Sequence, residues 1–260
     1  MTPVSALLLV KDEKRRLPAT LAGLGWADEV VVVDTGSADG TTELAREAGA
    51  RVVGVPWEGY VASRNRALRE VRNDWVLFVD ADERVSPALR DEILAALARD
   101  GDRFAGYLMP RLSYLMGRPI RHGTWYPDRK LRLGRRSAGL RAEGGRVHEY
   151  LVVDGPVGRL ASPLLHDEGR TVSEAVRRIS SYARLAALDR RDRGARASGA
   201  ALLLRPLVEF LRAYVLKRGF LDGRAGFATA ALHSMSYVLR ASYVIEADAG
   251  RSTSGEEDRP

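Results

Sequence analysis

The sequence predicts an α/β protein: a mostly parallel β-sheet flanked by helices, with a helical C-terminal appendage. Three observations predict it. Four short apolar runs (4–10, 29–33, 51–55 and 75–79) alternate with segments of helical spacing, and that alternation is the mark of a parallel sheet with helices on both faces. Asp12, Asp34 and Asp80 fall just past three of those runs, at the strand ends where such sheets bind ligands. From Ala200 onward the chain changes character, with apolar residues recurring at helical spacing.

The first strand is Val4 to Val10, followed by the charged loop Lys11-Asp-Glu-Lys-Arg-Arg and a short helix opened by Leu17-Pro18. The second strand, Glu29 to Val33, runs into Asp34-Thr-Gly-Ser-Ala-Asp-Gly-Thr41. Gly36 and Gly40 mark tight turns there, and Asp39 or Thr41 caps the helix 42–48. Residues 51–55 form a third strand, and 60–71 alternate charged and apolar residues as a helix does.

Trp75 to Val79 is an unbroken apolar run, suited to a strand buried on both faces. It ends in Asp80, Asp82 and Glu83. In an extended chain alternate residues point the same way, so Asp80 and Asp82 would face one target. Three clustered acids repel one another unless a cation sits among them. A divalent metal holding a diphosphate meets that need, since Mg²⁺ and Mn²⁺ favour carboxylate and phosphate oxygens. The same residues also read as a solvated acidic turn into a helix from Pro87 to about Arg99, with Ser86 as its N-cap.

Residues 104–133 read as strands and long loops with aromatics and arginines interleaved. Residues 146–153 form a further strand carrying His148 and Glu149, and His166 follows the run Pro163-Leu-Leu. An amphipathic helix is expected from Ser173, as cap, to Asp189. Beyond it Leu203, Leu207, Phe210, Leu211 and Tyr214 share one helical stripe, and Arg205, Glu209 and Arg212 another. A basic, glycine-rich hinge follows, from Lys217 to Gly226. This region is either an ordinary helical cap or a basic hairpin in a membrane interface, its arginines on anionic headgroups. Domains are expected at 1–170 and 171–248, with a disordered polar tail at 249–260.

The chain has 260 residues, no cysteine and a formal net charge of +7 carried almost wholly by arginine. Disulfides and thiolate metal sites are therefore excluded. The basic balance suits anionic partners such as nucleotide diphosphates or acidic membrane. The arginines are dispersed rather than gathered on one stripe, which argues against nucleic acid. The first ten residues lack the cationic start and cleavage site of a signal peptide, and no uncharged apolar run reaches spanning length. The expected place is the cytoplasm, with peripheral contact at the inner face of the cytoplasmic membrane.

Together, residues 4–13, the run Val31-Val-Val-Asp-Thr-Gly-Ser-Ala-Asp-Gly-Thr41, Arg64-Asn65-Arg66-Ala67 and Val79-Asp-Ala-Asp-Glu83 resemble glycosyltransferase family 2 and its GT-A fold. The later stretches are Trp125-Tyr-Pro-Asp-Arg-Lys-Leu-Arg-Leu133, Val147-His-Glu149, His166 and residues 216–227. They resemble the branch containing the lipopolysaccharide core glucosyltransferases. The resemblance implies a UDP-sugar donor, a divalent metal (Mg²⁺ or Mn²⁺) and inversion at the anomeric carbon. It implies that Asp34 contacts the nucleotide base with Glu13 nearby, that Asp80 and Asp82 form the acid-x-acid metal and ribose motif, and that Arg64 reaches the nucleotide or its phosphates. His166 is implied as a further metal ligand or as a contact to the diphosphate.

The implied acceptor is a glycolipid, an oligosaccharide or a surface polysaccharide. An inverting transfer needs one carboxylate to deprotonate the acceptor hydroxyl, and Glu149 is the expected base. Arg129 and Arg132 have the fork geometry that binds phosphate. Trp125 and Tyr126 suit stacking on a sugar or packing in a core.

Asp12 stands where many relatives have Asn. The chain has no glutamine, so the Gln-x-x-Arg-Trp motif of processive synthases is absent and a single addition is expected. A haloacid-dehalogenase-type phosphatase would carry its Asp-x-Asp after the first strand, and a dinucleotide dehydrogenase would need glycines in the first loop. Neither fits. The remaining alternative is a catalytically inactive module that binds nucleotide-sugar or membrane.

Overall fold

The computed structural model describes residues 2–145, 149–166, 171–192 and 199–248. His148 and the expected tail 249–260 lie outside the described residues. The chain starts β1 (Val4–Val10), α1 (Leu17–Ala22), β2 (Glu29–Asp34), α2 (Thr41–Glu47), β3 (Arg51–Gly54), α3 (Tyr60–Ala67) and β4 (Trp75–Phe78). Then come β5 (Glu83–Arg84), α4 (Pro87–Asp100), β6 (Gly106–Leu115), β7 (Arg118–Pro119), β8 (Asp128–Arg135) and β9 (Arg141–Gly144). It continues as β10 (Glu149–Val152), β11 (Val157–Arg159), β12 (Leu164–His166), α5 (Val172–Asp192), α6 (Gly199–Leu211) and α7 (Gly223–Asp248).

Two compact units emerge: Met1–Arg111 with Asp128–His166, and Leu112–Pro127 with Asp167–Pro260. In the first, the sheet runs β3-β2-β1-β4 with parallel neighbours, as the alternating pattern predicted. The β8 strand then joins β4 antiparallel, and β6 joins β8 antiparallel. The irregular stretch after α4 therefore extends the sheet rather than covering it.

The β4 strand is buried on both faces, and its side chains alternate between two cores. Trp75 and Leu77 pack with Leu8, Leu89 and Ile93 on one side. Val76 and Phe78 pack with Leu7, Val31 and Val33 on the other. Helices cover both faces because a central strand with no polar residue has no side to show to water.

Local rules set the helix starts. Ser86 accepts a hydrogen bond from the Leu89 amide at 3.2 Å, and Pro87 sits at the first position of α4. Ser86→Ala is expected to cost about 1 kcal/mol, read as a lower urea midpoint; an unshifted midpoint would show the cap to be idle. At α2 it is Asp39 that takes the Thr41 amide, at 2.9 Å. The α3 helix ends at Ala67, short of the expected Val71.

The expected cap of α5 is corrected. Thr171, not Ser173, accepts the Glu174 amide at 3.2 Å, and Glu174 returns a bond to the Thr171 amide at 2.9 Å. This is a reciprocal capping box, legible in Thr171-Val-Ser-Glu174.

In the second unit, Leu115, Ile120, Ala175, Ala225 and Leu232 form a core against which Trp125 packs. Trp125 thus takes the packing option of its two readings. The glycine-rich segment is a close-packed corner, not a loose hinge: a Cβ at Gly226 would stand 1.8 Å from the Gly219 carbonyl oxygen. Asp222 locks that corner. Its Oδ2 accepts the amides of Arg121 and His122, and its Oδ1 meets His122 Nδ1 at 2.8 Å.

Candidate active site

Two loops at the carboxyl edge of the sheet are laced together. Ser37 Oγ accepts the Asp12 amide at 2.8 Å, and Asp12 Oδ1 accepts the Ala38 amide at 2.8 Å. Thr41 Oγ1 accepts the Glu13 amide at 2.9 Å, and Asp39 Oδ2 the Lys14 amide at 3.0 Å. Asp12 has φ of 52°, a left-handed geometry that Asn and Asp tolerate best. Backbone shape and this lacing are what the position demands, and either residue type meets the first demand. The lacing brings Glu13 and Asp34 to one corner. Asp34, buried, accepts the Gly36 amide at 3.0 Å and the Ser37 amide at 3.1 Å, besides the Ser37 hydroxyl.

The strands β2, β1 and β4 are neighbours, so Asp34 and Asp80 sit about 10 Å apart across two inter-strand spacings. Beyond β4 the chain does not stay extended. The Glu83 amide donates to the Asp80 carbonyl at 2.9 Å, closing a turn. Strand alternation therefore does not set the directions of Asp80 and Asp82, although the two carboxylates remain close enough for the Asp82 charge to act on Asp80. Asp80 faces two arginines, and Asp82 Oδ2 faces His166 Nε2 at 3.4 Å. His166 comes into reach because β12 pairs antiparallel with β5, His166 opposite Glu83.

Arg64 on α3 donates to Asp80 Oδ1 at 2.8 Å, and its Nη2 stands 3.6 Å from Glu149 Oε1. Its guanidinium carbon lies 4.8 Å from the Phe78 ring centroid. Arg132 on β8 is buried and donates to Asp80 Oδ2 and, at 2.6 Å, to Glu83 Oε1. Burial alone would raise the Asp80 carboxyl; the guanidiniums of Arg132 and Arg64 outweigh it and hold Asp80 well below the usual carboxylate range. Burial likewise opposes the Arg132 charge, and Asp80 and Glu83 outweigh it, pushing Arg132 further up. Both arginines keep a buried Nε–H without a hydrogen-bond partner among the described residues.

Arg132 reaches this cluster through a β-bulge. Tyr107 pairs with Leu133 and Leu108 with Leu131, which leaves Arg132 as the extra residue on β8. Leu131 and Leu133 consequently pack in different cores, although two residues apart on a strand they would share a face. Bulges commonly re-aim a side chain beside an active site. Arg129, on the same strand, is exposed and has no ion pair among the described residues.

Two further residues complete the cluster: Glu83, expected as one of three acids around a metal but placed instead on an arginine, and Asn65. Glu83, fully buried, accepts the Asp80 amide on Oε2 at 3.0 Å as well as the Arg132 guanidinium. Its signal was an acid placed three residues after Asp80. Asn65 accepts the Ala142 amide at 2.7 Å and donates to the Ala142 carbonyl at 3.0 Å. It acts as a strand partner for β9, which carries β10 antiparallel with Glu149 opposite Gly144. The pair Arg64-Asn65 thus holds the hairpin with one residue and meets its glutamate with the next. Nothing in the sequence signalled Asn65 beyond its place beside Arg64.

Among the described residues no three His, Asp or Glu side chains are grouped to hold an ion by themselves. Asp82 and His166 form a two-donor set, a carboxylate with an imidazole. That set fits a divalent cation whose remaining ligands come from a phosphate group.

Residues 5–145 match the sequence model described as Glycosyl transferase family 2. A Rhizobium meliloti protein named Lipopolysaccharide core biosynthesis glycosyltransferase LpsC is 30% identical over 98% of this chain and 97% of its own length. Uncharacterized glycosyltransferase RT0209 of Rickettsia typhi is 28% identical, covering 92% of this chain and 86% of its own. Among solved structures, S. aureus TarS 1-349 is 15% identical with a TM-score of 0.49, over 96% of this chain and 93% of that one.

Proposed function

Because the chain belongs to glycosyltransferase family 2, we propose that it moves one hexose, glucose in our reading, from a UDP-sugar to a glycolipid or surface-polysaccharide acceptor with inversion at the anomeric carbon. One observation carries this reading. Arg64 Nη2 stands 2.8 Å from Asp80 and 3.6 Å from Glu149, so the acid of the donor motif and the candidate base lie one guanidinium apart. A base that close to the sugar-diphosphate can reach an acceptor hydroxyl poised at the anomeric carbon. The acceptor class rests on the name of the Rhizobium meliloti relative.

In this reading each residue has a task. The laced corner of Glu13 and Asp34 receives the nucleotide base. Asp80 meets the ribose side of the nucleotide, held in place by Arg132 and by Glu83 behind it. Arg64 and Arg129 answer the negative charge of the diphosphate, and the unpaired Nε–H groups of Arg64 and Arg132 are donors that an arriving anion would satisfy. Asp82 and His166 would hold a divalent cation, which supplies neutralisation of the charge on the departing nucleotide diphosphate. Glu149 takes the acceptor proton as the acceptor oxygen bonds to the anomeric carbon and the bond from that carbon to the diphosphate oxygen breaks.

The test is calorimetric titration with UDP and with ADP, each with and without Mn²⁺, on the wild type and on Asp82→Ala. UDP is expected to bind in the presence of Mn²⁺, with at least a tenfold loss when either the metal or Asp82 is removed. ADP bound in preference to UDP would overturn the donor class, and folded protein that binds neither would overturn the transferase reading.

A further inference from the structure

We propose that the outward face of α6, with the corner that follows it, docks on the surface of an anionic phospholipid bilayer. This goes beyond the transfer reaction and rests on different residues.

The α6 helix is turned inside out for a helix in water. Leu204, Leu207, Val208 and Leu211 follow the i, i+3, i+4, i+7 spacing of one face, and their exposure runs from 48% (Leu211) to 61% (Leu204). The sequence pattern put Leu207 and Leu211 on one stripe with Phe210 and Tyr214, as an inward face. Among the described side chains of that stripe only the two aromatics are half-buried; Phe210 stacks on Tyr214 and meets Phe227 edge-on.

The acid of this segment goes the other way. Glu209 is 8% exposed, with His233 Nε2 of α7 at 3.6 Å from it and the Ser234 hydroxyl donating to the Pro206 carbonyl at 2.7 Å. A water-facing helix buries its leucines and exposes its glutamate. This one turns Leu204, Leu207 and Leu211 outward and Glu209 inward, and an apolar patch continuous along a chain marks an interaction site. Val215 and Leu216, the latter 77% exposed, continue the patch along a π-helical turn, and Phe220 and Leu221 extend it along the short 3-10 helix after that turn.

Charge decides the occupant. Arg205, Arg212, Lys217, Arg218 and Arg224 are all exposed along the same segment. The acids between 199 and 227 are Glu209, buried, and Asp222, committed to the loop at 121–122. An apolar face fringed by cations and free of exposed acids is complementary to acyl chains below anionic headgroups. A second copy meeting the same face about a two-fold axis would set these cations against themselves. The terminal sequence 249–260 holds no large apolar side chain that could cover the face. No helix among the described residues is long and apolar enough to cross a membrane, so the contact is one that lies on the interface.

The experiment is sedimentation of the full chain with vesicles of phosphatidylcholine alone and of phosphatidylcholine with about one-third phosphatidylglycerol, a fraction chosen to give a clearly negative surface. Binding to the anionic vesicles is expected, weakened by salt. Leu207→Glu with Leu211→Glu should abolish it while circular dichroism stays unchanged, since both side chains point outward. Lys217→Ser with Arg224→Ser should weaken it about thirtyfold. Folded protein that ignores anionic vesicles, or binding that survives the leucine pair unchanged, would overturn the proposal. A dimer in the ultracentrifuge that the leucine pair dissociates, without vesicle binding, would assign the face to a second copy and also overturn it.

Discussion

Glu149→Gln is expected to lower kcat for sugar transfer by about 10²–10⁴-fold, the usual worth of a positioned general base. The substitution keeps the shape of the side chain and removes its negative charge, and with it the capacity to take a proton. UDP affinity should stay within about twofold, because a residue that acts on the acceptor proton contributes to the transition state and not to nucleotide binding. The opposite pattern would be informative. Glu149 stands 3.6 Å from Arg64, and if its task were only to restrain that arginine, the variant would alter KM and UDP binding and leave kcat nearly intact. Transfer assayed at saturating donor, with the UDP titration alongside, separates the two. A kcat within about threefold of wild type would remove Glu149 from the role of base.

Glu83→Gln should destabilise the first unit by about 3 kcal/mol, at the lower end of the cost of breaking a buried ion pair. Glu83 is wholly buried, and Arg132 remains charged at any accessible pH. The glutamine can still accept the Asp80 amide, so the loss reports the charge that Glu83 offers to Arg132 at 2.6 Å and to Arg111 at 3.7 Å. Arg132 keeps Asp80 as a partner, which limits the cost. Urea denaturation followed by tryptophan fluorescence would read it, Trp75 being part of the buried β4 strand. A loss under 1 kcal/mol would show that Asp80 alone satisfies Arg132.

The same cluster sets a pH dependence. Asp80 is held below its unfolded value, so its stabilisation is fully present above about pH 4, the ordinary range of an aspartate, and is lost as pH falls toward the folded value. Asp80→Asn should flatten that acid decline.

Much of the site was legible in the order of the chain. The apolar runs 4–10, 29–33, 51–55 and 75–79 could be placed as strands of one parallel sheet because burial on both faces leaves an unbroken apolar signal. Their terminal acids followed, since strand ends in a parallel sheet share one edge. The bulge that aims Arg132 was not legible. It depends on the pairing of β6 with β8, and a one-residue slip carries no mark in the sequence of either strand. The role of Asn65 was hidden for the same reason: its partner, Ala142, is a backbone position far along the chain. The turn at Asp80 defeated the alternation argument because that argument holds only while the chain stays extended.

Local pattern therefore determined the fold class, the alternation of strands and helices at the start of the chain and the acids Asp34, Asp80, Asp82 and Glu149 as the residues to watch. Tertiary structure alone decided which cation meets which acid: Arg64 and Arg132 on Asp80, His166 on Asp82. It also decided which face of α6 is inward, with Glu209 inside and Leu207 outside. Periodicity reports that a helix has two faces, while the side that is buried depends on what the rest of the chain packs against it.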